Sequence, residues 1–248
     1  MRLDVFFSPA QIQPLHLAGR VVGVIDVLRA STTIAAALSN GARSVVPLDS
    51  ADAVMQRART FERSEVLLAG ERKMIAISGF DVGNSPAEFT AAVVEGRTVL
   101  LTTTNGTEAL VSIQGAREIV VASYVNFSAV LALLRAALRG GNSVTLLCAG
   151  REKQFSLEDS ACAGLYVRHV VKRMPGLQLN DSAQASMLLD RRYGGHIDRL
   201  FADSEHGRDL AAGGFADDLV TCGKINSYPV VPIYQDRSIT MLGPGRDR

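Results

Sequence analysis

Short apolar runs recur along the chain at 21–28 (VVGVIDVL), 44–48 (SVVPL), 65–69 (EVLLA), 97–102 (RTVLLT), 118–122 (EIVVA) and 143–148 (SVTLLC). Each is too short for a helix and rich in Val, Ile and Leu, which predicts strands buried on both faces. Longer segments with helical spacing of apolar positions separate them, at 33–40, 51–61, 86–95, 106–114, 127–139 and 157–173. Alternation of this kind predicts an α/β fold, a three-layer α/β/α unit with a largely parallel or mixed sheet. Connections are short and no Pro/Gly/Ser-rich linker divides the chain, so 1–248 reads as a single domain. After residue 180 the pattern becomes helical, over 182–223, with breaks at Gly194-Gly195, Gly207 and Gly213-Gly214. This C-terminal extension, 182–248, closes on an extended stretch, Tyr228–Ile233. Its Pro229 and Pro232 predict an edge strand or a loop, and the terminal GPGRDR reads as a mobile tail.

A weak internal echo overlies this pattern. Gly41-Ala42-Arg43 recurs as Gly115-Ala116-Arg117, and at the same offset Thr33 falls on Thr107. Each copy reads strand, Ser/Thr-rich turn, helix, Gly-Ala-Arg, strand. Two ordinary strand-turn-helix units and an internal duplication account for it equally well, since Gly is the expected residue after a helix.

Composition narrows the class without naming a partner. Of 248 residues, 47 % are hydrophobic and 21 % charged, with a formal net charge of +1, so nothing advertises nucleic acid or an anionic membrane. Three cysteines, Cys148, Cys162 and Cys222, lack metal or redox spacing and cannot all pair. The N-terminal MRLDVFFSPAQIQ does not read as a signal peptide, and no apolar run approaches a membrane span. The expectation is a reduced, cytoplasmic protein. Oligomeric state is not legible, and a homodimer is the default.

The polar residues gather where strands end, which is where open α/β sheets carry their sites. Asp26 sits inside VVGVIDVL and is followed by Arg29-Ala30-Ser31-Thr32-Thr33. An ionised carboxylate there is costly unless paired, hydrogen-bonded or metal-bound. It therefore reads either as an ion pair with Arg29 or a turn, or as a Mg²⁺ ligand or phosphorus nucleophile. Thr102-Thr103-Thr104-Asn105-Gly106-Thr107-Glu108 combines a capping box of Asn105 and Glu108 with a phosphate cradle of hydroxyls and free N–H groups. Gly79-Phe80-Asp81-Val82-Gly83-Asn84-Ser85-Pro86-Ala87-Glu88 carries a helix start in Ser85, Pro86 and Glu88, but capping does not account for Asp81, Gly83 and Asn84. Gly70-Glu71-Arg72-Lys73 follows the third strand. Cys148-Ala149-Gly150-Arg151 precedes Ser156-Leu157-Glu158-Asp159, where Ser156 and Asp159 again fit a capping box. His16, His169, His196 and His206 share no metal spacing, and Ser204-Glu205-His206-Gly207 reads as the start of a short helix.

Several phosphate chemistries fail on spacing. Gln154 stands where a cysteine phosphatase built on Cys148 needs arginine, and Leu28 where a dehalogenase-type enzyme built on Asp26 needs its second aspartate. Val170 breaks the Arg-His-Gly of histidine phosphatases after Arg168-His169, and neither a Walker loop nor a dinucleotide fingerprint is present. What remains is an anion-binding α/β enzyme with carboxylates available to a hard metal.

Val24-Ile25-Asp26-Val27-Leu28-Arg29-Ala30-Ser31-Thr32-Thr33, Gly70-Glu71-Arg72, Gly79 to Pro86, Thr102 to Thr107, and Cys148-Ala149-Gly150 with Leu157-Glu158-Asp159 together resemble the ComB-like, 2-phosphosulfolactate phosphatase family. The order and spacing agree along nearly the whole chain, and Gly207, Asp218, Cys222 and Val231-Pro232 look like its C-terminal pattern. Cys222-Gly223-Lys224-Ile225-Asn226 departs from the more acidic segment expected there.

The resemblance implies a three-layer fold and a Mg²⁺-dependent phosphatase that converts 2-phosphosulfolactate to sulfolactate in coenzyme M biosynthesis. For such an enzyme the expectation is catalytic roles for Asp26 and Arg29, and Mg²⁺ ligands mostly from Asp26, Glu71 and Asp159, with Asp81 and Glu158 in reserve. Ser31, Thr32, Asn84, Ser85, Thr104, Asn105, Gly106 and Thr107 would hold the phosphorylated substrate, with Arg72, Lys73 or Arg151 on its carboxylate and sulfonate. The alternative is a non-catalytic module that binds a phosphorylated or dicarboxylate metabolite with the same turns and no metal.

Overall fold

The computed structural model describes residues 1–113 and 115–243, so the last position of the 106–114 helix and the tail after Gly243 lie outside it. The chain runs β1 (Arg2–Phe6), β2 (Val21–Ile25), α1 (Ala30–Ser39), β3 (Ser44–Pro47), α2 (Ala51–Ala58), β4 (Val66–Arg72), β5 (Ile75–Ala76), α3 (Ala91–Val94), β6 (Thr98–Thr102), α4 (Gly106–Ser112) and β7 (Glu118–Ala122). It continues through α5 (Phe127–Arg139), β8 (Val144–Cys148), α6 (Leu157–Val171), β9 (Gln178–Leu179), α7 (Asp181–Tyr193), α8 (Ile197–Asp203), α9 (Glu205–Ala212), α10 (Ala216–Cys222), β10 (Pro232–Gln235) and β11 (Ser238–Met241). Among the described residues, eleven strands form one mixed sheet in the order β5-β4-β6-β3-β11-β10-β7-β2-β8-β1-β9.

Apolar runs become two-faced strands because both sides of the sheet are covered. Val21 and Ile25 face a core with α5, α6 and α7, whereas Val22 and Val24 face a second core with α1 and α4. On the far half, Val46, Leu68 and Leu100 pack with Val54 of α2, while Val45, Leu67 and Val99 face the second core. The period of two along each strand thus produces the three expected layers. In α5, Phe127, Val130, Leu131, Leu134 and Leu138 are buried, the one-faced stripe of an amphipathic helix.

Two parallel blocks, β7-β2-β8-β1 and β4-β6-β3, are joined by an antiparallel hairpin, β10–β11. The expected C-terminal edge strand is therefore corrected: it lies in the middle of the sheet. Pro232 is tolerated there because it opens β10, and pairing with β7 involves the next two residues, Ile233 and Tyr234. The two echoing units are β2-α1-β3 and β6-α4-β7. Each crosses between the blocks, with β2 beside β7 and β6 beside β3. The 86–95 segment forms a single 3-10 turn and the four-residue α3 rather than one helix. The 182–223 segment forms the four helices α7–α10, the first ended by Gly194 in the left-handed region. No described helix is long and apolar enough to cross a membrane.

Candidate active site

The carboxyl ends of β2, β4 and β6, with the loop after β8, surround a pocket of about 250 Å³. Asp26 forms its floor, one residue past β2. Its Oδ1 accepts from Ala30 N–H at 3.2 Å and its carbonyl from Ser31 N–H at 2.9 Å, so the carboxylate sits against the start of α1. The Ser31 hydroxyl accepts from Asp26 N–H at 2.9 Å. Asp26 Oδ2 makes no hydrogen bond among the described residues. Burial pushes the Asp26 carboxyl up to about 6. Nearby His206 and Ala30 N–H counter that rise, and the Glu71 and Glu158 charges add to it.

Arg29 does not pair with Asp26. Its guanidinium lines the pocket and meets Asp218 of α10 at 2.5 Å, with Phe215 stacked 4.3 Å from its carbon. Ser85 donates to the other oxygen of Asp218, so the helix-start reading does not exhaust that residue.

Glu71 forms one wall. Its carboxylate accepts from Thr104 N–H at 2.8 Å, the Thr104 hydroxyl at 3.0 Å and Met74 N–H at 2.7 Å. Asn84 forms another, and its Oδ1 is buried without a hydrogen-bond partner among the described residues. Lys73, Asn105 and Arg151 complete the rim with Glu152 and His206. Arg151 reaches Asp209 at 2.5 Å and Glu205 at 3.3 Å, one helical turn apart on α9.

The pocket thus brings together Asp26, Arg29, Glu71, Lys73, Asn84, Thr104, Asn105 and Arg151 from the expected set. The others stand behind it or away from it. Thr32 donates to Val27 O, Thr107 and Thr103 bond each other reciprocally, and Arg72 turns to Thr102 and the Asp49 carbonyl. Gly106 allows α4 to approach, since a Cβ there would lie 2.5 Å from Asp26 Oδ2 and 2.5 Å from Ala30 Cβ. Asn105 makes no cap, because its Oδ1 accepts from Glu152 N–H and Glu108 pairs with Lys153. Asp81 stands apart, joined to Arg63 and to Leu68 N–H. Asp159 holds Val27 N–H at 2.8 Å and Gly150 N–H at 3.2 Å, tying the β2 and β8 loops together. Burial, with the charges of Asp26 and Glu158, keeps the Asp159 carboxyl well above its ordinary range. Glu158 is buried and faces His206 Nδ1 at 3.5 Å. Burial acts most strongly and raises its carboxyl, but His206 together with hydrogen bonds from its own backbone N–H and from Ser156 brings it below the usual range.

Sequence reasoning missed His206 as a site residue, and no local signal marks it. Ser204 caps α9 by accepting from Gly207 N–H at 3.0 Å, which is all the tetrapeptide announces. Gly207 sets the position: a Cβ there would lie 2.1 Å from Phe201 O, so the first turn of α9 rests on the backbone of α8.

No three His, Cys, Asp or Glu side chains converge as a ready-made metal cage among the described residues. The oxygens of Asp26 and Glu71 and the unpaired Asn84 Oδ1 nevertheless fit a hard cation that keeps part of its water shell and takes one or two carboxylates with substrate phosphate.

The sequence from 6 to 237 matches the family model described as 2-phosphosulpholactate phosphatase. A protein of Symbiobacterium thermophilum named probable 2-phosphosulfolactate phosphatase is 42 % identical over 227 residues, 92 % of this chain and 96 % of that one. Proteins of the same name from Carboxydothermus hydrogenoformans and Pseudothermotoga lettingae are 38 % and 36 % identical, covering 94 % and 96 % of this chain and 92 % and 98 % of theirs. The chain belongs to the 2-phosphosulpholactate phosphatase family.

Proposed function

We propose that this protein is a phosphoric monoester hydrolase that uses Mg²⁺ to cleave the ester of a small phosphorylated 2-hydroxy acid, with 2-phosphosulfolactate as the preferred substrate. The observation that carries the reading is the buried Asp26 at the floor of a small pocket whose rim holds Arg29, Lys73 and Arg151. A compact substrate with two or three anionic groups matches that charge pattern, and the relatives carry such a substrate in their name.

Asp26 and Glu71 would hold the metal, with Asn84 Oδ1 as a third oxygen. Bound there, Mg²⁺ would supply charge neutralisation for the phosphoryl group and orient the water that attacks it. Arg29, fixed by Asp218, directs its remaining N–H groups at phosphoryl oxygens, alongside Thr104 and Asn105. Lys73 and Arg151 meet the carboxylate and sulfonate at the rim. The pre-set charges act in a partly enclosed space where their effect on the transition state exceeds that in water.

The test is phosphate release from racemic 2-phosphosulfolactate and 2-phospholactate, with Mg²⁺ and with EDTA. Release that requires Mg²⁺, faster with the sulfonate, is expected. A folded protein that binds both esters and releases nothing would replace hydrolysis by binding.

A further inference from the structure

Phosphate ester hydrolysis leaves one requirement that the metal and arginine do not meet. When the P–O bond breaks, the electron pair stays on the ester oxygen, and an alkoxide of an ordinary alcohol is too basic to depart readily without a proton. A donor must stand in the pocket, and Asp26 and Glu71 are poor candidates once they hold a cation. Arg29 is permanently charged and keeps its protons.

His206 meets the geometric demand. It comes from α9 and lines the same pocket as Glu71 of β4 and Thr104 after β6. Its Nδ1 faces Glu158 Oε1 at 3.5 Å, and Glu158 is 2 % exposed at the first turn of α6. Its Nε2 has no hydrogen-bond partner among the described residues. A buried carboxylate stands behind one nitrogen of the ring, and the other nitrogen is left for the pocket. Three contacts hold the turn of α9 that carries it: Gly207 against Phe201 O, Ser204 on Gly207 N–H, and Arg151 bridging Glu205 and Asp209.

From this arrangement we infer that His206 is the catalytic acid that protonates the leaving oxygen, with Glu158 as its positioning residue. The inference rests on the phosphatase reading. In the step, water oxygen forms the new bond to phosphorus and the ester P–O bond breaks. The His206 Nε2 proton passes to the departing oxygen, giving the alcohol. The attacking water keeps one hydrogen on the new P–OH, and its other proton returns through solvent to His206.

The decisive experiment varies the leaving group. Phosphoenolpyruvate places carboxylate and phosphate on the same three-carbon skeleton as 2-phospholactate but releases a resonance-stabilised enolate that depends less on a proton. Wild type, His206→Gln and Glu158→Gln are assayed with Mg²⁺ on both esters, with thermal melts confirming that each variant is folded. His206→Gln should lower kcat on 2-phospholactate by about 10²–10⁴-fold, the range for a general acid, with KM little changed. The loss on phosphoenolpyruvate should be at least about ten-fold smaller. Glu158→Gln should show the same leaving-group dependence at reduced size. Equal losses on both esters, or a change in KM alone, would overturn the assignment and make His206 an anion contact. A wild type inactive on every ester tested, including racemic 2-phosphosulfolactate, would instead end the phosphatase reading and this inference with it.

Discussion

Arg29 and Asp218 lie 189 residues apart in sequence and 2.5 Å apart in space, both nearly inaccessible to solvent. The pair links the turn after β2 to the helix α10, so the C-terminal helices are fastened to the pocket by an interaction that also aims a site arginine. Ser85 on the remaining Asp218 oxygen and Phe215 against the guanidinium complete its surroundings. A buried charge pair of this kind stabilises weakly as a whole, yet breaking it strands a charge.

Asp218→Ala should therefore destabilise the protein by about 3–5 kcal/mol, the usual result of leaving one buried partner unpaired. Replacing both residues together, as in Arg29→Met with Asp218→Leu, should recover most of that stability while activity stays lost. Urea titrations of the two variants measure the difference. A single variant as stable as wild type would remove Asp218 from its role as partner.

Asp26 gives a pH-dependent prediction whose sign follows from its raised pKa. The folded chain holds the Asp26 proton up to about pH 6, whereas the unfolded chain releases it near 3.8. Stability from this group is thus fully present below about pH 4 and lost as pH rises through about 6, a change of about 3 kcal/mol. Asp26→Asn keeps the acceptor for Ala30 N–H and removes the charge. In EDTA it should melt several degrees higher than wild type at pH 7.5 and no higher at pH 4, while catalysis is abolished. An equal shift at both pH values would show that charge is not the cause.

The layers were legible because periodicity alone specifies a strand buried on both faces, as in β2, or a one-faced helix, as in α5. The central hairpin was not. Pro229 and Pro232 are local signals for an edge, and only the gap between β3 and β7 explains why a proline-flanked segment enters the middle of the sheet. The same division runs through the site. Asp26 and Asn105 come just after strands and Glu71 lies near the end of one, so their place could be read from strand ends. Ser31, Thr32 and Thr107 share those turns, but their hydroxyls close local hydrogen bonds behind the pocket. His206 and Asp218 arrive from the C-terminal helices α9 and α10, and sequence spacing carries no record of that meeting.

Gly207→Ala tests how closely α9 must approach. Alanine favours a helix by up to about 1 kcal/mol over glycine, so an unconstrained site would gain stability. Here the new Cβ would lie 2.1 Å from Phe201 O and 2.8 Å from Ser204 Oγ, and the backbone carbonyl cannot rotate away. The expected result is a loss of about 1–3 kcal/mol by overpacking, with a fall in kcat because His206 moves with its helix. A stabilised variant of full activity would show that α9 tolerates the displacement.

Asn84 separates a structural from a functional account of a buried polar group. Its Oδ1 lacks a partner among the described residues, and an unsatisfied buried acceptor costs about 1–3 kcal/mol. Its backbone carbonyl, which accepts from the Thr33 hydroxyl at 2.9 Å, survives substitution. Asn84→Leu keeps comparable bulk and deletes the orphan, so the metal-free variant should be at least as stable as wild type in EDTA. If Asn84 serves the cation, the same variant should lose the rise in melting temperature that Mg²⁺ gives wild type and require more Mg²⁺ for half-maximal activity. Thermal melts across a Mg²⁺ series read both effects. A variant that is less stable in EDTA but responds to Mg²⁺ as wild type does would assign Asn84 to the architecture of the loop before Ser85, leaving Asp26 and Glu71 as the oxygens that hold the ion.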